Sequence, residues 1–188
     1  MSKAHRDRYH HGQLPAAITA EALDRVEAEG VEALSLRACA RALGVDPAAA
    51  YRHFKDKEAV LAAVAQAGAE ALDATLRHAA SGGDGVDQLI DFARGYVGFA
   101  ADHPHLFGLI YSAHGEGGAA PSPLAAALKT LVAEGRLSPG ERAPLQDVLW
   151  LALHGLAALT ASRPGGDRAA LMARCEQLCV TVLAGPEG

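Results

Sequence analysis

Apolar residues recur at helical spacing along almost the whole chain, and no stretch sustains the two-residue alternation of β-branched side chains that a half-buried strand requires. That pattern points to an all-α fold. Leu14, Ile18, Ala22 and Val26 trace one stripe that Gly30 stops, predicting a first helix over about 14–29. Ser35 is placed to cap a second, with Leu36, Ala40 and Leu43 inward and Gly44 just past its end. Asp46 followed by Pro47 reads as an N-cap with proline at the first helical position, which starts a third, short helix running to about Phe54. Asp56 begins a long helix carrying Val60, Leu61, Val64, Ala71, Leu72 and Leu76, ended by Ser81-Gly82-Gly83. Val86 to Ala100 form another, His103-Pro104 breaks the chain, and Leu106–Tyr111 continues briefly. After a loop-like stretch at 112–123, helices near 123–135, 141–162 and 167–184 complete the expected set.

A chain of 188 residues, half of them apolar, can build a core in a small N-terminal unit and a larger helical body. We divide it into an arm and DNA-binding unit over 1–57 and an effector-binding and dimerisation body over 58–188. The net charge of -5 argues against a protein that coats nucleic acid indiscriminately. Residues 1–60 hold 9 Lys/Arg against 9 Asp/Glu and residues 61–188 hold 8 against 13, so any DNA contact rests on locally placed cations. Cys39, Cys175 and Cys179 form no disulfide framework and suit a reducing compartment. Lys3, His5, Arg6 and Arg8 are followed by no apolar run, so no secretory signal is read there. The uncharged run Val148–Ala161 is too short to span a bilayer, and a cytoplasmic protein with no membrane partner is expected.

Two short helices of about nine and eight residues joined through Gly44-Val45-Asp46 have the punctuation of a helix-turn-helix, whose second helix enters the major groove while the first braces it. Ala48 and Arg52 stand one turn apart on one face, where a small residue permits close approach and an arginine can bond guanine with two donors. Ala50 and Phe54 face the other way, as packing residues. Tyr51, His53 and Lys57 supply donors for phosphates, and Arg37 reaches a base or a phosphate. The leading arm adds Lys3, Arg6, Arg8 and Tyr9-His10-His11, able to follow the backbone or a minor groove.

The stretch from Leu43-Gly44-Val45-Asp46-Pro47 through Tyr51-Arg52-His53-Phe54-Lys55-Asp56-Lys57-Glu58, with Leu61 downstream, closely resembles the signature of the TetR (tetracycline-repressor-like) family. Tyr9-His10-His11-Gly12-Gln13-Leu14 resembles the entrance to the first helix in one branch of it. The resemblance covers about the first 65 residues. It implies a homodimer on near-palindromic double-stranded operator DNA, by family habit a repressor. It also implies phosphate roles for Tyr51, His53 and Lys57, and base-reading positions for Arg37, Ala48, Ala49 and Arg52. Asp46 with three alanines is leaner than the polar residues usual in the family, which shifts base reading toward Arg52, Arg37 and thymine methyl contacts.

In the C-terminal body, His103-Pro104-His105-Leu106-Phe107 resembles the family's junction between two pocket helices, and Trp150 with His154-Gly155 resembles a tryptophan-histidine-glycine signature of the same branch. Five of the nine aromatics, Phe92, Tyr96, Phe99, Phe107 and Tyr111, fall within twenty residues. Their rings either line a cavity for an apolar or aromatic effector or fill a core. Trp150 and His154 share a helical face and point at the same space. His103, His105, His114 and His154 match no metal-ligand spacing, so neither metal nor cofactor is expected. The nearly all-round apolar helix at Val148–Ala161, and a stripe of Leu171, Met172, Cys175, Leu178, Cys179, Val182 and Leu183, suit a dimer interface formed by the last two helices. If Cys175 and Cys179 meet a symmetry mate there, they become candidates for redox sensing. The competing readings are a small all-α enzyme and an interaction protein. No nucleophile elbow, phosphate loop or paired-carboxylate frame supports the first, so an enzyme is not expected.

Overall fold

The computed structural model describes residues 13–79, 81–113, 120–163 and 165–184. Among them are nine α-helices and no strand: α1 (Leu14–Glu29), α2 (Leu36–Ala42), α3 (Pro47–Tyr51), α4 (Lys57–Ala79), α5 (Gly85–Asp102), α6 (Pro104–Ala113), α7 (Ser122–Ala133), α8 (Arg142–Ser162) and α9 (Arg168–Ala184). A short 3-10 turn over Val31–Ala33, not foreseen from the sequence, joins α1 to α2. Of the loop-like stretch predicted at 112–123, residues 114–119 lie outside the described ones, while α6 runs on through 113 and α7 already begins at 122.

The predicted caps set the N-terminal unit. Ser35 Oγ accepts the Ala38 N–H at 3.4 Å, and Asp46 Oδ1 accepts the Ala48 N–H at 2.7 Å. Between them Gly44 takes φ +69°, so that its N–H reaches the Arg41 carbonyl and the Val45 N–H reaches Ala40, closing α2 with the paired bonds of a Schellman turn. Ile18, Ala22, Val26, Cys39, Ala40 and Ala50 are fully buried, packing α1, α2 and α3 into one small core. The helix-turn-helix pair is shorter than predicted, at seven and five residues. Its last turn closes on the Ala50 carbonyl, which accepts from both His53 and Phe54.

In the larger body α5 is the central element, packed on by α4, α6, α7, α8 and α9. Asp84 caps it reciprocally with Asp87, and the Glu134 carboxylate accepts the Gly85 N–H at 3.0 Å. By length and composition α4 could cross a membrane. Instead, it turns Val60, Val64, Ala65, Gly68, Leu72 and Leu76 inward and packs on α1, α5 and α6. It thus touches both the N-terminal unit and the body.

Within the body, α4 and α6 approach closely at Gly68. A Cβ there would lie 2.6 Å from Leu106 Cδ1 of α6, so only glycine lets α4 and α6 approach this closely. Alanine would recover helix propensity worth about 1 kcal/mol, offsetting part of the clash. Valine recovers little of it, and Gly68→Val is expected to lower stability in urea unfolding by about 1–3 kcal/mol through overpacking. An unchanged midpoint would show that Leu106 can step aside freely.

Candidate functional site

Two groups of the predicted residues come together, one on the N-terminal unit and one inside the body. On the first, Ala50 and Phe54 of the α3 segment are buried while Ala48, Tyr51, Arg52 and His53 are exposed and Ala49 is half-buried. The alternation divides α3 into a packing face and a free face. Tyr51 is 44% exposed, a large ring that the core leaves out although buried space lies one residue away. Arg37 stands exposed at the start of α2. Among the described residues, neither Arg37 nor Arg52 has an ion pair, so both guanidiniums can bond a nucleic acid without first breaking one. Lys57 differs: its ammonium donates to the Glu32 carbonyl at 3.0 Å, tying the start of α4 to the turn after α1. The arm residues Arg6 and Arg8 lie outside the described residues.

Inside the body, Tyr96 is fully buried and surrounded by rings. Phe92 stacks on it at 6.0 Å between centroids, Phe107 and Trp150 meet it edge-on at 5.7 and 5.3 Å, and Tyr111 lies at 6.3 Å. His154 stands 5.2 Å from Trp150 and 4.6 Å from Tyr111, as their shared helical face predicts for the first pair. Phe99 is not part of this group; its ring packs on His103 at 4.7 Å. A chain of hydrogen bonds threads the rings, with Tyr96 Oη 2.8 Å from His154 Nδ1 and 2.7 Å from Tyr111 Oη. The imidazole tautomer sets its direction. Burial pushes the Tyr96 and Tyr111 hydroxyls above their ordinary values and holds His154 below its own, so the chain is uncharged near neutrality.

A contact that sequence reasoning missed joins the N-terminal unit to the body. His103 Nδ1 lies 2.7 Å from Glu27 Oε1 of α1, and the His105 ring rests 3.5 Å from where a Gly30 Cβ would be. No local signal marks Glu27, because its partner is 76 residues away. The corner between α5 and α6 therefore touches α1 through His103, the start of α6 touches Gly30 just after α1 through His105, and Leu106 meets α4.

On α9 the stripe read as a dimer surface turns the other way. Cys175 and Cys179 are fully buried, and Cys179 Sγ approaches the Leu89 carbonyl of α5 at 3.9 Å. Burial pushes their thiols up to about 11 and about 12, which leaves little thiolate for redox chemistry. The stripe is the core-facing side of α9, since a helix packed on α5 must bury its own apolar side first. The unpartnered apolar surface lies instead at Val148, Leu151 and Leu159 of α8, which are 52%, 71% and 61% exposed, and at Val180 of α9.

The depressed basicity of His154 carries a sign. Above its ordinary value of 6.5 both folded and unfolded chains hold it neutral, and its full contribution to stability is present. As pH falls through that value the unfolded chain takes up a proton that the folded imidazole refuses, so stability is lost on acidification. Between about pH 7 and about pH 5 the urea midpoint of the wild type should therefore fall more steeply than that of His154→Gln. Parallel curves would rule this out.

Two family models match the chain. That of bacterial regulatory proteins of the tetR family matches residues 18–64, and the tetracyclin repressor-like C-terminal domain matches residues 89–181. Among curated proteins no sequence match is found. Among solved structures, a protein of unknown function from Rhodococcus sp. RHA1 is 30% identical, with a TM-score of 0.75 over 93% of this chain and 97% of that one. A bacterial regulatory protein in the tetR family from Rhodococcus RHA1 is 21% identical, with a TM-score of 0.67 over 97% of this chain and 98% of its own. The TetR family transcriptional regulator PfmR from Thermus thermophilus is 22% identical, with a TM-score of 0.63 over 91% of this chain and 99% of its own. With both halves of the family's architecture matched and α3 presenting its free face, the chain belongs to the TetR family of DNA-binding transcriptional regulators.

Proposed function

We propose that the chain is a dimeric repressor that grips a near-palindromic operator through α3 and lets go when a small neutral effector, apolar or aromatic, enters the ring cluster around Tyr96. The observation that carries the DNA half of this reading is the free face of α3, with Tyr51 and Arg52 exposed over a buried Ala50 and Phe54. In this reading Arg52, Arg37, Ala48 and Ala49 meet base edges, while Tyr51, His53 and Lys57 meet phosphates. Lys57 can do so only by sharing its ammonium with the Glu32 carbonyl. The arm, with Arg6 and Arg8, adds backbone or minor-groove contacts that offset the lack of net positive charge over residues 1–60. The DNA-binding unit ends near residue 57 and the effector body begins at 58, with α4 as the shared lever.

The neutral Tyr96, Tyr111 and His154 chain supports an uncharged effector, which it can meet with one hydrogen bond within otherwise apolar walls. Trp150 with His154-Gly155 supports a reading of the chain as one of the branch that carries that signature. To admit a ligand the rings must part, and Phe107 and Tyr111 belong to α6. Moving α6 disturbs His103 on Glu27 and Leu106 on Gly68 together, which changes the setting of α1 and α4 and hence the spacing of two recognition helices. The subunits meet through the outward faces of α8 and α9, where Val148, Leu151 and Leu159 stand in water in a single subunit. Such a protein acts in the cytoplasm, on its own regulatory DNA.

Fluorescence-anisotropy titration against the chain's own upstream DNA in a salt series tests this reading. Arg52→Ala should weaken operator binding by about 1–3 kcal/mol and relax sequence preference at one position. Binding that is weak and indifferent to sequence at every salt concentration sinks the proposal. Leu151→Asp should convert the dimer to monomers in sedimentation and reduce operator affinity with it, since two linked half-sites bind far better than one. A dimer that survives this change would place the interface elsewhere.

A further inference from the structure

A cleft of about 580 Å³ opens where the C-terminal ends of α5 and α8 meet the start of α9, and it shares no lining residue with the Tyr96 ring cluster. Three arginines line it: Arg163 just after α8, and Arg168 and Arg174 on α9. Leu156, Leu159 and Leu171 supply an apolar side. Two carboxylates are also present, and both are engaged. Asp167 caps α9 by accepting the Ala169 and Ala170 N–H groups, and Asp102 pairs with Arg168. Arg168 is drawn close to α5, its Nη2 lying 3.4 Å from where a Gly98 Cβ would stand. Arg163 and Arg174 make no side-chain ion pair among the described residues.

We propose that this cleft binds a small amphipathic anion, a carboxylate or phosphate head on an apolar tail. The cleft holds three guanidiniums against two occupied carboxylates, within a stretch from 61 to 188 that carries 13 acids against 8 bases in all. That local reversal of sign selects for an anion, and guanidinium forks bind carboxylate and phosphate with paired donors. The apolar side selects for a tail, and the volume is that of a site for a drug-sized molecule, roughly 300–1,000 Å³. The head sits between Arg163 and Arg174 and competes with Asp102 for Arg168. Asp102 directly precedes His103, which holds Glu27 of α1, so occupancy acts on the corner from which α6 starts. Leu159 on the rim also belongs to the outward face of α8, and a second subunit there narrows the entrance.

Isothermal titration of the full chain with decanoate, below its micellar concentration, tests the proposal, with decanol and acetate as probes lacking the charge and the tail. Decanoate should bind saturably, one per subunit, and the other two at least about tenfold more weakly. Arg163→Ala and Arg174→Ala, both on exposed positions, should each cost decanoate roughly tenfold in affinity, about the loss of one charge-assisted hydrogen bond. Ala170→Phe, which fills the cleft without changing its charge, should abolish binding. No binding, or binding equal in wild type and both arginine variants, overturns the assignment. So does binding that is lost in Tyr96→Phe and kept in the arginine variants, which places the ligand in the ring cluster. Binding seen only with the Leu151→Asp monomer overturns it too, by showing that a second subunit fills the cleft.

Discussion

Nearly complete burial of α5 governs how the body is assembled. Leu89, Phe92, Ala93, Tyr96, Val97 and Ala100 have no exposed surface, so apolar atoms must meet that helix on most sides and five other helices must each turn a stripe toward it. This is why α9 spends its cysteine-bearing stripe on α5 and has only its opposite side left for a partner. It is also why the start of α5 is so thoroughly satisfied, with Asp84 and Asp87 capping one another and Glu134 reaching in from beyond α7. One hydroxyl lies in the middle of this apolar helix. A buried hydroxyl left unmatched costs about 1–3 kcal/mol, so the Tyr96 O–H demands partners, and His154 from α8 and Tyr111 from α6 provide them. Those two bonds fix the register of α6 and α8 around the ring cluster.

The same register makes α6 the common neighbour of the functional parts. His103, the residue just before it, meets Glu27 of α1, its Leu106 lies on Gly68 of α4, and its Phe107 and Tyr111 belong to the ring cluster. A close-packed interface of this kind has few intermediate positions, because displacing Leu106 by a fraction of an ångström already forfeits contact with α4. Movement of α6 is therefore felt by both helices that carry the N-terminal unit. The arginine-lined cleft reaches the corner from the other side, since Asp102 is joined covalently to His103 and by an ion pair to Arg168.

The free face of α3, proposed above to meet DNA, has a different character. It is small, with α3 only five residues long, and it depends on where Ala50 and Phe54 are buried. Those two anchors, with the Asp46 cap, leave Ala48, Tyr51, Arg52 and His53 outward. With as many acids as bases over residues 1–60, affinity for DNA has to come from geometry and from pairing two subunits more than from bulk charge.

Much of this was legible in the chain itself, where the governing interactions are local. Helical spacing, Gly44 between Ser35 and Asp46, and proline at position 47 determined the helix-turn-helix and its two faces, because caps and turns act within a few residues. The i to i+4 spacing of Trp150 and His154 likewise determined that they share a face. What the sequence could not show was which partner each stripe chooses. The outward-looking stripe of α9 proved to be its inner one, Phe99 left the aromatic group for His103, and the last turn after α3 opened earlier than its pattern suggested. Glu27 with His103, Gly68 with Leu106, and the three arginines gathered at the end of α5 join residues far apart along the chain. Only packing decides such pairs, because many apolar stripes are nearly equivalent until α5 is surrounded and the space left over is fixed.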